Sequence, residues 1–335
     1  MKLIYVFCLV VLLSRCAMMP ADQTKINGVS YVSSRDSISE KHVKPLLKIH
    51  ANYASIMPFG FIRDVSHPDI QYNSKRQWFG ETKVGVKQYI KVLKDEGIHI
   101  MLKPQIWVWR GEFTGGIKMK TEDDWKILEA SYSQFILDYS ELARETNVDI
   151  FCIGTELEGF IEGRPNYWKH LITEIRKIYK GKLTYAANWN EYTKTPFWND
   201  LDYIGIDGYF PVSDLKTPTV ADCKLGLKPW KTEIKKYHDI YNKPILFTEF
   251  GYRSMNFTGK EPWRSDRGID EVNLEAQANA TQAFFETFWY EDWVSGGFVW
   301  KWYHEHERAG GPNDPRFTPQ NKPTEKIIQD FYSKH

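Results

Sequence analysis

Ile150-Phe-Cys-Ile-Gly-Thr-Glu156 is a short apolar run that ends in a carboxylate, and the organisation of the chain can be worked out from it in both directions. Its β-branched and aromatic side chains are typical of a strand that is buried on both faces. Residues 123–145 and 167–180 on either side carry apolar side chains at three- and four-residue spacing, which predicts helices. A buried strand between two helices indicates a βα unit of a parallel sheet.

The same alternation runs through the rest of the chain. The predicted strands are Gly28–Val32, Tyr53–Met57, His99–Pro104, Ile150–Gly154, Leu183–Ala187, Tyr203–Ile206, Ile245–Thr248 and Gly297–Trp300. The predicted helices are Ile38–Ala51, Val84–Glu96, Asp123–Glu145, Tyr167–Lys180, Pro229–Tyr241, Leu274–Trp289 and Thr324–Tyr332. Asn166 and Thr121 stand just before two of these helices and are the expected N-caps.

Eight strands that alternate with helices predict an α/β fold, a single-domain (β/α)8 TIM barrel over residues 23–335. The alternative is a doubly wound open sheet, which often has a glycine-rich phosphate loop after its first strand. Here the first strand runs into Tyr31-Val-Ser-Ser34, which is no such loop. The active site of a barrel lies at the carboxyl ends of its strands, so the residues that follow each strand are the candidates for chemistry.

The first residues of the chain predict export. Lys2 precedes an apolar run, Leu3–Leu13, that is too short to span a bilayer. The next residues, Leu13-Ser-Arg-Cys16, resemble a lipoprotein signal in which the cysteine is lipidated, although Arg15 replaces the usual small residue. We therefore expect residues 1–22 to be a signal segment. The mature protein is then either a membrane-anchored lipoprotein, in the periplasm or at the cell surface, or a secreted protein.

Composition excludes some classes of partner and leaves others open. The 44 basic and 43 acidic residues give no electrostatic footprint for nucleic acid. Aromatic residues make up 15% of the chain and include 13 Trp, which suits either a large core or a surface that stacks on sugar rings. Only Cys152 and Cys223 lie beyond the signal, so no disulfide framework is expected.

Glu156 and Glu249 each follow an apolar run, at the ends of the fourth and seventh predicted strands. A carboxylate at a buried strand end is costly unless it is paired, hydrogen-bonded or protonated. A pair of them is what hydrolysis of a glycosidic bond requires: one group protonates the leaving oxygen, and the other attacks the anomeric carbon. A separation of about 5–5.5 Å between the two carboxyl groups would give retention of configuration.

Glutamates on the fourth and seventh strands resemble those of the large clan of retaining barrel glycosidases. That resemblance implies that Glu156 is the acid/base and Glu249 the nucleophile. Glu158 competes for the acid role because it lies on the same side of an extended chain as Glu156, whereas Glu191 is expected to be a solvated loop residue. Many clan members have Asn just before the acid/base, where this chain has Thr155.

Longer stretches resemble glycoside hydrolase family 113. They are Gly154-Thr-Glu-Leu157, Thr248-Glu-Phe-Gly-Tyr-Arg-Ser254 with Glu261-Pro-Trp263, Leu102-Lys-Pro104 with Trp109-Arg-Gly111, Asp202–Pro211 and Gly297–Trp302. The resemblance implies an endo-β-1,4-mannanase that needs no cofactor or metal and acts on mannan, glucomannan or manno-oligosaccharides. We expect the protein to be a monomer. Alternatives are another β-glycanase of the clan, an exo-β-mannosidase, and a non-catalytic carbohydrate-binding lipoprotein.

Further substrate-binding candidates follow from the same resemblance. Tyr209 corresponds to a tyrosine that hydrogen-bonds the nucleophile, and Trp300 to the aromatic floor beneath the sugar. The remaining candidates are Lys103, Trp109 and Arg110 after the third strand, Asn188 and Trp189 after the fifth, Asp207 on the sixth, which contacts either a sugar hydroxyl or the nucleophile's network, and Trp302 on the face of Trp300. The segment His304-Glu-His-Glu307 is expected to be a polar loop rather than a metal site.

Overall fold

The computed structural model describes residues 24–264 and 271–335. The predicted signal segment, residues 1–22, lies outside this part of the chain. The strands are β1 (Ile26–Tyr31), β2 (Tyr53–Ile56), β3 (Phe59–Ile62), β4 (His99–Leu102), β5 (Gln105–Val108), β6 (Ile150–Thr155), β7 (Lys182–Asn188), β8 (Ile204–Asp207), β9 (Ile245–Phe250) and β10 (Val294–Trp302). The helices are α1 (Glu40–Lys48), α2 (Lys83–Asp95), α3 (Glu122–Glu145), α4 (Glu158–Gly163), α5 (Pro165–Ile178), α6 (Val220–Tyr241), α7 (Leu274–Phe288) and α8 (Pro323–Tyr332).

Eight parallel strands form a closed barrel in the order β1-β10-β9-β8-β7-β6-β4-β2. The last strand pairs with the first, in a register that places Ile26 opposite Gly296, and this pairing closes the sheet. Helices lie between successive strands, so the predicted single-domain (β/α)8 barrel is confirmed. Each of the eight predicted strands corresponds to a barrel strand, with β6 as the fourth and β9 as the seventh.

The seven predicted helices are also present, and the start of α6 and the N-cap of α5 differ from the prediction. Helix α6 begins at Val220 rather than Pro229, because the proline is accommodated inside the helix and Thr219 caps it by accepting from Asp222 N. Thr121 caps α3 as expected, accepting from Asp124 N at 3.1 Å. Asn166 is not a cap: α5 begins at Pro165, whose fixed φ suits the first turn.

Strands β3 and β5 and the short helix α4 were not predicted. Strands β3 and β5 pair in parallel and form a separate two-stranded sheet. Each follows a barrel strand after a short break at Pro58 or Pro104, and residues of both strands line the cavity described below. Within the described residues, no helix is long and apolar enough to cross a membrane.

Apolar side chains occupy the barrel interior below the site. This inner cluster consists of Ile26, Met101, Ile150, Cys152, Ala186, Leu246 and Phe298, all buried. A larger cluster lies between the barrel and the helices and contains the fully buried rings of Trp168, Trp198, Trp289 and Trp302. Polar side chains are instead buried at the carboxyl ends, where Lys103, Asp207 and Glu249 are at most 6% exposed. Buried charged side chains therefore lie together at the carboxyl ends of the strands.

Candidate active site

A cavity of about 950 Å³ opens at the carboxyl ends of the strands. Both predicted catalytic glutamates line it, together with side chains from most of the barrel's circumference. The polar and aromatic lining residues include Gln105, Trp107, Phe113, Thr155, Glu158, Asn188, Trp189, Tyr209, Trp263 and Trp300.

Glu249, in β9, is held by three hydrogen-bond donors. Its Oε1 accepts from the Lys103 ammonium and, at 3.0 Å, from the Gln105 side-chain amide. Its Oε2 accepts from the Tyr209 hydroxyl at 2.7 Å. The side chain is almost fully buried, so these contacts fix the orientation of both oxygens. A hydrogen bond from an ammonium is charge-assisted and stronger than one between neutral groups.

Lys103 lies beneath this carboxylate rather than in the cleft. It is fully buried, with its ammonium bonded to Glu249 and 3.7 Å from Asp207 Oδ1. Burial lowers the pKa of Lys103, but the two carboxylates outweigh burial and raise it, so the lysine is a cation. The expectation that Lys103 contacts a sugar hydroxyl is therefore corrected. Lys103 has no exposed surface, and its ammonium is paired with the two carboxylates.

Asp207, at the end of β8, belongs to the same buried network. Its Oδ1 accepts from Thr248 Oγ1 at 2.7 Å, and its Oδ2 has no hydrogen-bond partner within the described residues. Burial raises the pKa of Asp207 well above its ordinary value, and Glu249 adds to this, against the opposing effect of Lys103. Of the two roles expected for Asp207, its full burial excludes contact with a sugar hydroxyl.

Glu156 follows β6 directly and has a left-handed backbone conformation, with φ of 51°. Its amide donates to Ala186 O at 2.8 Å, which ties the turn to β7. Burial raises the pKa of Glu156 well above its ordinary value, and the negative charges of Asp207, Glu249 and Glu191 raise it further, against Lys103. The carboxyl group is thereby kept protonated at pH values where a free glutamate would be ionised.

Glu158, the competing acid, has a different environment. It begins α4 and forms an ion pair with the Lys194 ammonium. The ion pair thus occupies the Glu158 carboxyl group. The two positions are distinguished by their partners: Glu156 faces carboxylates, whereas Glu158 faces an ammonium.

The aromatic candidates divide between the cleft and the core. Trp300 lines the cavity, and so does Trp189, whose ring stacks on Trp263 at a centroid distance of 4.9 Å. Trp302 is instead fully buried in the larger core cluster, where its ring lies 5.5 Å from that of His306. The expectation for Trp302 is therefore corrected, because β10 turns its ring away from the cleft.

Trp109 and Arg110 lie in a single helical turn after β5 and are exposed. Neither lines the cavity, where Trp107 and Phe113 take their place. Trp107 belongs to the unpredicted strand β5 and Phe113 follows it, whereas the sugar contacts of Trp109 and Arg110 stay predictions.

Asn188 lines the cavity as expected, and its side-chain oxygen accepts from the amide of Trp189 at 2.7 Å. Thr155, in place of the clan's asparagine, also lines the cavity. Its hydroxyl has no hydrogen-bond partner among the residues that the structure describes.

Three residues around the site were not identified from the sequence: Gln105 and Thr248, which bond to the acidic network, and Glu191, which was expected to be solvated but is 1% exposed. Gln105 lies two residues beyond Lys103, which was the one available signal for it. The segment 304–307 is a polar loop in which His306 pairs with Glu325 at 2.7 Å. In the described ranges, no group of three His, Cys, Asp or Glu side chains could hold a metal ion.

The model of glycoside hydrolase family 113 matches residues 31–322 of the chain. The chain belongs to glycoside hydrolase family 113. The match runs from the end of β1 to the residue before α8, and so includes every residue of the cavity. No curated protein sequence matches the chain well enough to count as a relative.

Solved structures of family 113 share the fold of this member. A complex of a GH113 β-1,4-mannanase is 21% identical, with a TM-score of 0.80, and the match covers 93% of this chain and 99% of that one. The GH113 β-mannanase AaManA from Alicyclobacillus acidocaldarius, in complex with ManMIm, is 22% identical with a TM-score of 0.81, covering 93% and 98%. The β-glucuronidase of Faecalibacterium prausnitzii is more distant, at 15% identity and a TM-score of 0.61, covering 93% and 49%.

Proposed function

We propose that this family 113 enzyme is a retaining endo-β-1,4-mannanase that acts on mannan, glucomannan or manno-oligosaccharides. The observation that carries the proposal is the pairing of two glutamates in one cavity. Burial and neighbouring carboxylates hold Glu156 protonated, whereas three donors orient Glu249. A double-displacement mechanism requires an acid that keeps its proton and a nucleophile that is held in place.

In the first step, Glu156 gives its proton to the glycosidic oxygen as the bond to the anomeric carbon breaks. One carboxylate oxygen of Glu249 attacks that carbon and forms a glycosyl ester, and the shortened sugar leaves as an alcohol. Lys103 and Tyr209 position the attacking carboxylate through their hydrogen bonds to it. The proposed reaction needs no metal ion or redox group.

The second step uses the same residues in reverse. Esterification removes the negative charge of Glu249, which is one of the charges that raise the pKa of Glu156. The pKa of Glu156 therefore falls in the glycosyl-enzyme, and its carboxylate accepts a proton from water. The water oxygen attacks the anomeric carbon from the face that the leaving group had occupied, as the ester bond breaks and Glu249 leaves as a carboxylate, so configuration is retained.

The mannan substrate is supported by the solved structures with this fold, several of which are GH113 β-1,4-mannanases. The cavity volume is near the upper end of the range for small-molecule sites, which suits an oligosaccharide rather than a single ring. Exposed rings at its rim, Trp107 and Phe113 on one wall and Trp263 on another, offer the flat apolar surfaces on which sugar rings stack.

The test is product analysis on β-mannan, glucomannan, xylan and cellulose with the wild-type enzyme and Glu249→Ala. Release of short manno-oligosaccharides, with the β-anomer formed first in NMR spectra of the fresh product, supports the proposal. A fall in mannan viscosity that precedes most of the release of reducing ends indicates internal cleavage. The absence of product from every mannan, or initial formation of the α-anomer, would rule the proposal out.

We also propose that the protein is exported and anchored by a lipid at Cys16, as a monomer. The lipoprotein-like segment at residues 13–16 supports the anchor, and an active site built from one chain supports the monomer. Expression of the full chain and of Cys16→Ser in a bacterium, followed by detergent phase partitioning, tests the anchor. The wild type should enter the detergent phase and the variant the aqueous phase, and equal partitioning would contradict the anchor. Gel filtration of the soluble variant tests the monomer.

A further inference from the structure

Glu191 is a buried carboxylate that the proposed mechanism does not use. It follows β7, is 1% exposed and accepts two hydrogen bonds. The Tyr185 hydroxyl donates to its Oε1 at 2.6 Å, and the backbone amide of Asn188 donates to its Oε2 at 2.9 Å. Removing a carboxylate from water is costly, and hydrogen bonds to both oxygens offset only part of that cost. This cost suggests that Glu191 has a function beyond stability.

Tyr185 connects this carboxylate to the acid/base. It is fully buried in β7, and its hydroxyl, besides donating to Glu191, accepts from the backbone amide of Leu157 at 2.6 Å. Leu157 is the residue after Glu156. Glu156 is thus held at two successive amides by β7: its own donates to Ala186 O, and the next one donates to Tyr185.

The backbone at Glu156 needs such support. Its φ of 51° is in the left-handed region, which residues with a Cβ adopt at a cost in free energy. Without the tyrosine hydroxyl, the amide of Leu157 would be buried without a partner and the turn would be free to relax. Relaxation would move the Glu156 carboxyl away from the glycosidic oxygen, and displacements of about 1 Å are enough to slow reactions about a hundredfold.

We propose that Tyr185 and Glu191 are positioning residues for proton transfer: Tyr185 holds the left-handed turn that aims the Glu156 carboxyl, and Glu191 holds Tyr185 while adding a negative charge near the acid. This inference rests on the proposed function, because it assigns Glu156 the role of proton donor. The proposed role differs from a purely structural one because it affects a single chemical event, protonation of the leaving oxygen.

The charges around the acid determine what Glu191 contributes. The charged groups that act on Glu156 are Asp207 from β8, Glu249 from β9, Glu191 after β7 and the cation of Lys103 after β4. Burial raises the pKa of Glu191 itself to about 7, against the hydrogen bonds from Tyr185 and Asn188; Glu158 adds to the rise and Lys194 opposes it. When Glu191 is ionised, its charge raises the pKa of Glu156 and keeps the proton on the acid.

Two substrates separate proton transfer from the rest of the reaction. Mannohexaose has a leaving group that needs protonation, whereas 2,4-dinitrophenyl β-mannobioside has one that leaves without it. With Tyr185→Phe and Glu191→Gln we expect kcat/KM on mannohexaose to fall about ten- to a hundredfold. On the dinitrophenyl substrate, formation of the glycosyl-enzyme, followed as the pre-steady-state burst, should change less than about threefold because this step does not use the acid.

The pH profile gives a second readout. Removing the charge of Glu191 lowers the pKa of Glu156, so the basic limb of the mannohexaose profile should move to lower pH in Glu191→Gln. A merely structural loss would reduce activity on both substrates together and leave the limb in place. Tyr179→Phe is the matched control, because Tyr179 is also buried and donates to a backbone carbonyl, Val148 O, at 2.7 Å. It should lose stability without a change in the ratio of the two rates.

The outcomes are distinguishable from failure of the proposed function. A wild-type enzyme that cleaves neither substrate contradicts the mannanase function itself. An active wild type whose Tyr185→Phe and Glu191→Gln variants keep the wild-type rate ratio and basic limb contradicts the positioning role. An effect of Tyr185→Phe alone would remove Glu191 from the proposal.

Discussion

Around Glu249 the barrel supplies hydrogen-bond donors, whereas around Glu156 it supplies carboxylates. Glu249 has an ammonium, an amide and a phenol within bonding distance, and the first of these is a buried cation. At Glu156, burial and then the negative charges of Asp207, Glu249 and Glu191 raise the pKa well above its ordinary value. The comparison teaches that one residue type is given two opposite environments because the strands that surround each copy bring different partners.

The largest expected effect comes from exchanging each glutamate for alanine and supplying azide. Both variants should lose hydrolysis of mannohexaose by on the order of 10⁴-fold or more. Azide should restore turnover of 2,4-dinitrophenyl β-mannobioside with opposite stereochemistry: Glu249→Ala gives the α-azide by direct attack, and Glu156→Ala gives the β-azide by attack on the glycosyl-enzyme. NMR of the products measures this difference. The same anomer from both variants would overturn the assignment of roles.

Removing the cation beneath Glu249 is the next test of the comparison. Lys103→Met leaves Glu249 and Asp207 close together without their shared positive charge, and buried charge pairs cost about 3–5 kcal/mol when one partner is lost. We expect kcat to fall about 10²–10³-fold and the denaturation midpoint to fall with it.

The control for this prediction is a second buried lysine. Lys322 is 5% exposed and its ammonium lies 3.2 Å from Asp314, outside the catalytic network. Lys322→Met should lower the denaturation midpoint while changing kcat at most a few-fold. Equal losses of kcat in both variants would show that Lys103 matters only for stability.

The site shows which features a sequence can predict and which depend on distant parts of the chain. Each proposed catalytic glutamate follows an apolar run directly, so a local pattern located both. The burial of Lys103 was missed because its partners, Asp207 and Glu249, come from β8 and β9, more than a hundred residues along the chain.

Glu191 and the small sheet were missed for related reasons. Glu191 lies in an irregular connection that looks solvated, and only the folded barrel brings the Tyr185 hydroxyl to it. Strands β3 and β5 have four residues each and follow Pro58 and Pro104, so their apolar pattern is too short to separate from the strands before them. The barrel itself was predictable because eight short apolar runs recur with helices between them.

Tyr209→Phe should have an intermediate effect. The variant removes one donor from Glu249 Oε2 and leaves the ammonium and amide on Oε1. A hydrogen bond to a charged group contributes about 1.5–3 kcal/mol, which corresponds to a fall in kcat of about ten- to a hundredfold. Because the donor acts on the nucleophile, the pre-steady-state burst on the dinitrophenyl substrate should slow as much as cleavage of mannohexaose. A loss confined to mannohexaose would place Tyr209 with the acid instead.

The smallest expected effect is that of Glu158→Gln, and it tests whether the carboxylate surroundings identify the acid. Glu158 lines the same cavity two residues beyond Glu156 but is paired with Lys194. Glu158→Gln removes this ion pair and not the proposed proton donor, so kcat/KM on mannohexaose should change less than about threefold. Glu156→Gln should lose most activity on mannohexaose, while its pre-steady-state burst on the dinitrophenyl substrate should change less than about threefold because that leaving group needs no proton. A proton donor with a raised pKa works below that pKa and fails above it, so the basic limb of the wild-type mannohexaose profile should be retained in Glu158→Gln. A large loss on mannohexaose with an unchanged burst in Glu158→Gln, and not in Glu156→Gln, would transfer the acid role to Glu158 and show that an ammonium-paired carboxyl group performs it.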